Sequence, residues 1–223
     1  YMCGQVLQKP NSILGLATGS TPLKPYSQMI ELYKKGVVDF SKVTTFNLDE
    51  YVNLDVNDKN SYHNFMHENL FDHINIPEEN INFLDGNAED PEEECRRYEE
   101  KIKAAGGIDI QLLGIGSNGH IAFNEPADCF QRWSHVVTLK ESTVKDNSRF
   151  FKSIDEVPTQ AVTMGIGSIM QAKKILIIAI GENKAKAIKQ LIDGNVTPMC
   201  PASVLQFHTA VTLMLDKAAA SLI

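Results

Sequence analysis

Along the chain, short apolar runs are each followed by a small-residue turn and then by an amphipathic stretch. Residues 13–17 (Ile-Leu-Gly-Leu-Ala) predict a strand, 18–21 a turn, and the stretch after them a helix. That helix carries Tyr26, Met29, Ile30 and Tyr33 at helical spacing and stops at Gly36. Residues 44–47 predict a second strand. Ser61 caps a helix that runs to about residue 72. Asp90 followed by Pro91, with Glu93 three positions after the aspartate, marks another helix start, and Gly106 and Gly107 mark its end. Residues 108–113 and 175–179 are near-continuous apolar runs, which suit strands covered by helices on both faces. Lys184 opens a last helix that Gly194 stops. Alternation of this kind predicts an α/β fold: an open, doubly wound, mostly parallel sheet with helices on both faces, in a single domain over residues 1–223. In such sheets ligands sit at the carboxyl ends of strands, in the loops that lead into helices.

Composition narrows the partners. The chain has 223 residues, 43% apolar and 22% charged, which argues against disorder. Net charge is −7 with no basic run, which predicts neither nucleic acid nor an anionic membrane as partner. The longest apolar stretch, residues 175–180, is too short to span a bilayer, and no secretory leader is read at the start. Cys3, Cys95, Cys129 and Cys200 lie far apart without a Cys-x-x-Cys, which predicts free thiols in a reducing cytoplasm. No repeat of 20–50 residues and no linker divides the chain.

Four segments carry candidate chemistry. The first, Gly15-Leu16-Ala17-Thr18-Gly19-Ser20-Thr21-Pro22, joins a strand to a helix. Free N–H groups at the helix start and the hydroxyls of Thr18, Ser20 and Thr21 suit a phosphate, with Gly19 permitting close approach. A plain helix cap and tight turn would use the same residues, and no Gly-Lys-Ser/Thr makes it a Walker loop. The second, Phe46-Asn47-Leu48-Asp49-Glu50-Tyr51, sets two acids where a strand meets a loop. Sequence neighbours point in different directions there, so Asp49 and Glu50 do not form one acid/base pair; taken alone they read as two solvated loop acids.

The third segment runs from Gly114 to Pro126 and gathers Asn118, His120 and Glu125 in one glycine-rich loop. Histidine shuttles protons near neutral pH, and a nearby carboxylate can hold its ring. Gly114, Gly116 and Gly119 match a dinucleotide Gly-x-Gly-x-x-Gly, but His120 and Pro126 interrupt any helix start and no ribose-binding acid follows. The fourth is a pair of cations: Arg149 within Asn147-Ser148-Arg149-Phe150-Phe151, and Lys184 after Gly181-Glu182-Asn183. A lone Lys or Arg is usually a surface charge, yet an anionic substrate of an acidic protein needs cations collected locally. His63, His67 and His73 lie on or just beyond the helix that starts at Ser61. A zinc site from His63 and His67 is conceivable, although the residues between them lack the catalytic Glu of a zincin.

Taken in order, Thr18-Gly19-Ser20-Thr21-Pro22, Phe46-Asn47-Leu48-Asp49-Glu50-Tyr51, Gly119-His120-Ile121-Ala122-Phe123-Asn124-Glu125-Pro126 and Asn147-Ser148-Arg149-Phe150-Phe151 make the chain resemble the glucosamine-6-phosphate deaminase family from about residue 13 to beyond 207. The related 6-phosphogluconolactonases typically end differently after Gly-His and lack Phe-Asn-Glu-Pro. The resemblance implies a Rossmann-like fold and conversion of glucosamine 6-phosphate and water to fructose 6-phosphate and ammonia in amino-sugar catabolism, without metal or organic cofactor. It implies that His120, positioned by Asn118 and Glu125, moves the proton that opens the sugar ring. It further implies that Asp49 carries the C2 proton to C1 through an enolamine, one carboxylate base beside a histidine as in other isomerases. Thr18, Gly19, Ser20, Thr21, Gly114, Arg149 and Lys184 would bind the phosphate and sugar. The family includes monomers and hexamers, so a homo-oligomer fits it as well as a single chain.

Three departures stand out. Many members carry Asp where this chain has Asn118; an Asn carbonyl can still accept a bond from the imidazole N–H, though without negative charge. Effector-activated members use basic residues after the His loop, and Ser134-His135-Val136-Val137 has none, which predicts little activation by N-acetylglucosamine 6-phosphate. Members also begin with a strand and a helix ahead of the strand at residue 13, where this chain has only residues 1–12, so those elements are expected to be missing or shortened. Two other readings share the fold. A lactonase would leave Asp49 without an enolisation role. A sugar-phosphate sensor would be joined to a basic helix-turn-helix, for which this chain has no room.

Overall fold

The computed structural model describes residues 1–223. Six strands form an all-parallel sheet: β1 (Ile13–Leu16), β2 (Thr44–Asn47), β4 (Ile81–Asn82), β5 (Ile110–Leu113), β8 (Ile175–Ala179) and β9 (Val211–Leu215), in the order β4-β2-β1-β5-β8-β9. Every residue of β1, β5 and β8 is buried, as their unbroken apolar runs require of strands covered on both faces. Among these six strands the chain order reverses between β1 and β5. That switch point is where a doubly wound sheet opens a crevice at its carboxyl edge.

Helices α1 (Met2–Gln8), α2 (Leu23–Lys34), α3 (Tyr62–Asn69), α4 (Pro91–Ala105), α5 (Glu141–Asn147), α6 (Ile166–Met170) and α7 (Ala185–Asp193) complete the layers. Their ends follow the local chemistry. The Ser61 side chain accepts from the Asn64 N–H at the start of α3. Asp90 accepts from the N–H groups of Glu92 and Glu93, Pro91 fills the first turn of α4, and Gly106 ends it at φ 96°. Ahead of β1, the short helix α1 docks Met2, Cys3 and Val6 into the core. At the opposite end of the sheet from the crevice, buried Asp109 accepts from Lys9 (2.6 Å), Lys173 (2.7 Å) and the Ile13 N–H (2.8 Å), which ties α1 to the start of β1. No helix is long and apolar enough to cross a membrane.

A second sheet corrects the simple parallel picture. β3 (Asp49–Tyr51), β7 (Gln160–Thr163) and β6 (His135–Thr138) run antiparallel in the order β3-β7-β6. Asp49 and Glu50 are therefore strand residues rather than loop acids. The chain changes sheets at Leu48, whose N–H donates to the Leu16 carbonyl (3.2 Å) and whose carbonyl accepts from the Met164 N–H (2.7 Å). The main core is one cluster of 44 buried residues; a smaller one of Tyr51, Phe123, Leu139 and Ala161 lies under the second sheet.

Candidate active site

A cavity of about 510 Å³ opens where the loops after β1 and β5 diverge, and the second sheet forms its far wall. Thr18, Gly19, Ser20, Thr21, Asp49, Gly114, His120, Arg149 and Lys184 all line it. The expected site residues therefore meet, apart from Asn118 and Glu125, which lie behind the His120 ring.

The turn after β1 is held by buried Tyr26, whose hydroxyl accepts from the Ala17 N–H (3.2 Å) and donates to the Ala17 carbonyl (2.5 Å). Gly19 sits at φ 91°, a left-handed conformation that a side chain would strain. The cap reading of this turn fails. Pro22 is the N-cap of α2 and makes no side-chain capping bond, and Thr18, Ser20 and Thr21 line the cavity beside the start of that helix, whose first N–H groups lack helical partners. Arg149 lies in a short 3₁₀ turn (Ser148–Phe150), exposed, with its guanidinium 4.7 Å from the Phe150 ring centre. Lys184 is the N-cap of α7. Burial lowers its ammonium from the ordinary value, the nearby Arg149 charge adds to this, and Asp146 opposes it. Arg149 and Lys184 are thus neighbours that line the same cavity as the Thr18–Thr21 turn.

Asp49 also lines the cavity and is only 6% exposed. Burial, and then the charge of Glu50, push its carboxyl up to about 8, and no hydrogen bond offsets them. Its neighbour is spent on structure. Glu50 accepts from the N–H groups of Tyr51 (2.8 Å), Tyr62 (3.0 Å) and His63 (2.9 Å), and so holds the N-terminus of α3. Burial raises Glu50 as well, while those three amides pull it back.

The His120 loop is a tight fold-back, not a helix start: the Gly116 N–H donates to the His120 carbonyl (2.9 Å), and Ile121 bridges Asn124. This disposes of the dinucleotide pattern. The imidazole lies directly on Gly116, where a Cβ would come within 2.3 Å of the ring. His120 Nδ1 is 3.6 Å from Glu125 Oε2, beyond hydrogen-bond distance. Asn118 is wired differently from expectation. Its carbonyl accepts from the His120 backbone N–H (3.1 Å) rather than from the imidazole, and its amide donates to Glu125 (2.9 Å). Glu125 also accepts from the Thr143 hydroxyl and the Lys140 N–H at the start of α5. Burial would raise its carboxyl, but the His120 ring, Thr143 and Asn118 outweigh burial and hold it down at about 2.

A profile of glucosamine-6-phosphate isomerases and 6-phosphogluconolactonases matches residues 4–214. The chain belongs to this family. It is 59% identical to a glucosamine-6-phosphate deaminase of Thermoanaerobacter pseudethanolicus over 98% of this chain and 87% of the relative. It is 53% identical to one of Alkaliphilus oremlandii over 100% and 92%. Among solved structures, a monomeric glucosamine-6-phosphate deaminase superposes with a TM-score of 0.97 at 47% identity, over all of this chain and 92% of that one. A 6-phosphogluconolactonase from Thermotoga maritima superposes with a TM-score of 0.73 at 19% identity, covering 95% and 88%, which speaks for the fold alone.

Within the family fold, several site residues escaped the sequence reading. Tyr51, Tyr62, Phe123 and Phe151 make an aromatic wall, with Tyr62 stacked on Phe123 at 6.0 Å. Tyr62 donates to the Tyr51 hydroxyl (3.2 Å), as does Asn147 (2.9 Å). Thr143 joins α5 to Glu125. Tyr51 and Asn147 lay inside quoted segments, but nothing local distinguished them from packing residues. Thr143 meets its partner across 18 positions, a contact that no short motif encodes.

Proposed function

We propose that the chain, as one domain, converts glucosamine 6-phosphate and water into fructose 6-phosphate and ammonia. The single observation that carries this reading is that a buried, unpartnered carboxyl and a carboxylate-backed imidazole line one cavity together with the hydroxyl residues Thr18, Ser20 and Thr21 and the cations Arg149 and Lys184. The relatives that bear the deaminase name span nearly the whole chain, which supports the same reading.

In this mechanism the phosphate sits between the Thr18–Thr21 turn, Arg149 and Lys184, and holds the sugar in register. His120 takes the proton of the anomeric hydroxyl and delivers it to the ring oxygen, which opens the ring to an aldehyde. Glu125 stays ionised and favours the protonated ring during that transfer, while Asn118 fixes the loop that carries it. Asp49 then removes the C2 proton, now acidified by the aldehyde, and returns it to C1. The enolamine becomes a C2 imine; water adds to it and ammonia leaves, giving the ketose. A carboxyl near 8 is mostly protonated at neutral pH, but a cationic amino group on C2 brought next to Asp49 favours its ionised form. Substrate thus switches on its own base. Free thiols at Cys3, Cys95, Cys129 and Cys200 suit work in a reducing cytoplasm.

The test is ammonia release from glucosamine 6-phosphate in a coupled assay, with hydrolysis of 6-phosphogluconolactone as the second arm. Ammonia and fructose 6-phosphate in equal amounts support the proposal. Lactone hydrolysis without ammonia release overturns it.

A further inference from the structure

We propose that His63, His67 and Glu78 form a binding site for one divalent transition-metal ion, zinc being the best match, on the side of α3 away from the catalytic cavity. His63 and His67 are one turn apart on α3, and their ring centres lie 4.5 Å from each other. Glu78 begins a 3₁₀ turn (Glu78–Asn80) that follows in the chain, just before β4. One ligand atom from each of the three lies within 4.8 Å of the other two. Neither histidine lines the catalytic cavity, whereas Tyr62 and Phe65 of the same helix do.

The surroundings of His67 point to a ligand. Its Nδ1 is 2.9 Å from Asp72 Oδ1, so with a hydrogen on Nδ1 the Nε2 lone pair faces Glu78 Oε1 at 3.8 Å. That Nε2 is buried and has no hydrogen-bond partner. A lone pair aimed at a carboxylate is repulsive; a cation between them turns the repulsion into two bonds. A carboxylate on the far nitrogen is also the usual support of a metal-bound histidine, fixing tautomer and ring orientation. Phe71 stands 5.5 Å from the His67 ring and Phe83 4.9 Å from the His63 ring, which restricts both rings. Two imidazoles and one carboxylate suit zinc, nickel or copper, and three protein ligands leave a position for water. Exposed Glu78 is free to close the remaining distance. An ion there would clamp α3 to the following turn, which steadies the helix that carries Tyr62 and that Glu50 holds at its N-terminus.

The test uses the full chain, stripped with chelator, then titrated with Zn²⁺ by calorimetry and with Co²⁺ by visible absorption. One ion per chain, ligand-field bands of a nitrogen/oxygen site, and a raised melting temperature with Zn²⁺ are expected. Glu78→Gln, at an exposed position, should keep the fold and weaken binding. His67→Ala should abolish it, and Asp72→Ala should weaken it by about 10–100-fold. No stoichiometric binding overturns the proposal, and so does a thiolate charge-transfer band. Folded Glu78→Gln that binds as tightly as the parent also overturns it.

Discussion

The Asp49 residue and the Glu125 side chain are each 6% exposed, yet one carboxyl is driven up to about 8 and the other down to about 2. The difference lies in their partners. Asp49 faces the cavity from the edge of a strand with another acid, Glu50, as its neighbour and no donor. Glu125 is turned away from the cavity and receives Asn118, Thr143 and the edge of the His120 ring. Environments that push two carboxyls apart suit them to different roles, and the proposed mechanism gives Asp49 the proton exchange and leaves Glu125 an anion beside the His120 ring.

Removing the exchanging acid gives the largest expected effect. Asp49→Asn should lower kcat by about 10²–10⁴-fold with substrate binding nearly unchanged, checked by steady-state ammonia release and by calorimetry with a non-reacting analogue. The same variant should be more stable than the parent. A raised folded-state pKa means that the folded protein loses stability as pH rises from 3.8 toward about 8. The melting-temperature advantage of Asp49→Asn should therefore grow across that window; a flat difference would place the carboxylate in water.

Next comes His120→Gln, expected to slow turnover of the closed ring by about 10²-fold and an open-chain analogue much less, read by comparing the two substrates under single turnover. Glu125→Gln sharpens the comparison from the other side. A depressed folded-state pKa contributes stability above 4.5 that is lost as pH falls toward about 2. Denaturation in this acid range should show the deficit of Glu125→Gln shrinking as pH falls, the reverse of the Asp49 trend. Arg149→Ala and Lys184→Ala test the two cations that line the cavity. Each removes charge-assisted bonds of about 1.5–3 kcal/mol, so KM should rise about 10–100-fold while kcat changes less. The smallest effect is expected from N-acetylglucosamine 6-phosphate: β6 offers no Lys or Arg within His135–Thr138, and the half-saturation concentration should barely move when it is added.

The parallel sheet was legible at β1, β5 and β8, which are apolar and buried on both faces, and its helices were legible from their caps at Ser61, Asp90 and Gly106; β4, two residues long, and β9, partly exposed, carry no such unbroken buried run and went unread. The Thr18–Thr21 turn and the His120 loop were legible because unusual residue types fall in consecutive positions. The second sheet was not. β3 is three residues long and two of them are acids, which by local rules belong in solvent; only pairing with β7 and burial against α3 make them strand residues. β6 and β7 have four residues each and little alternation. Asp49 was thus found as a residue and misplaced as a loop acid, and Asn118 was found with the wrong bond. In both cases the deciding partner lies far along the chain or on the backbone.

Proton transfer by Asp49 is most directly read from the hydrogen at C2. With substrate deuterated at that carbon, the parent enzyme should wash label into water or carry it to C1, while folded Asp49→Asn, still binding substrate, should leave it in place. Loss of the C2 label in that variant at close to the parent rate would contradict the account.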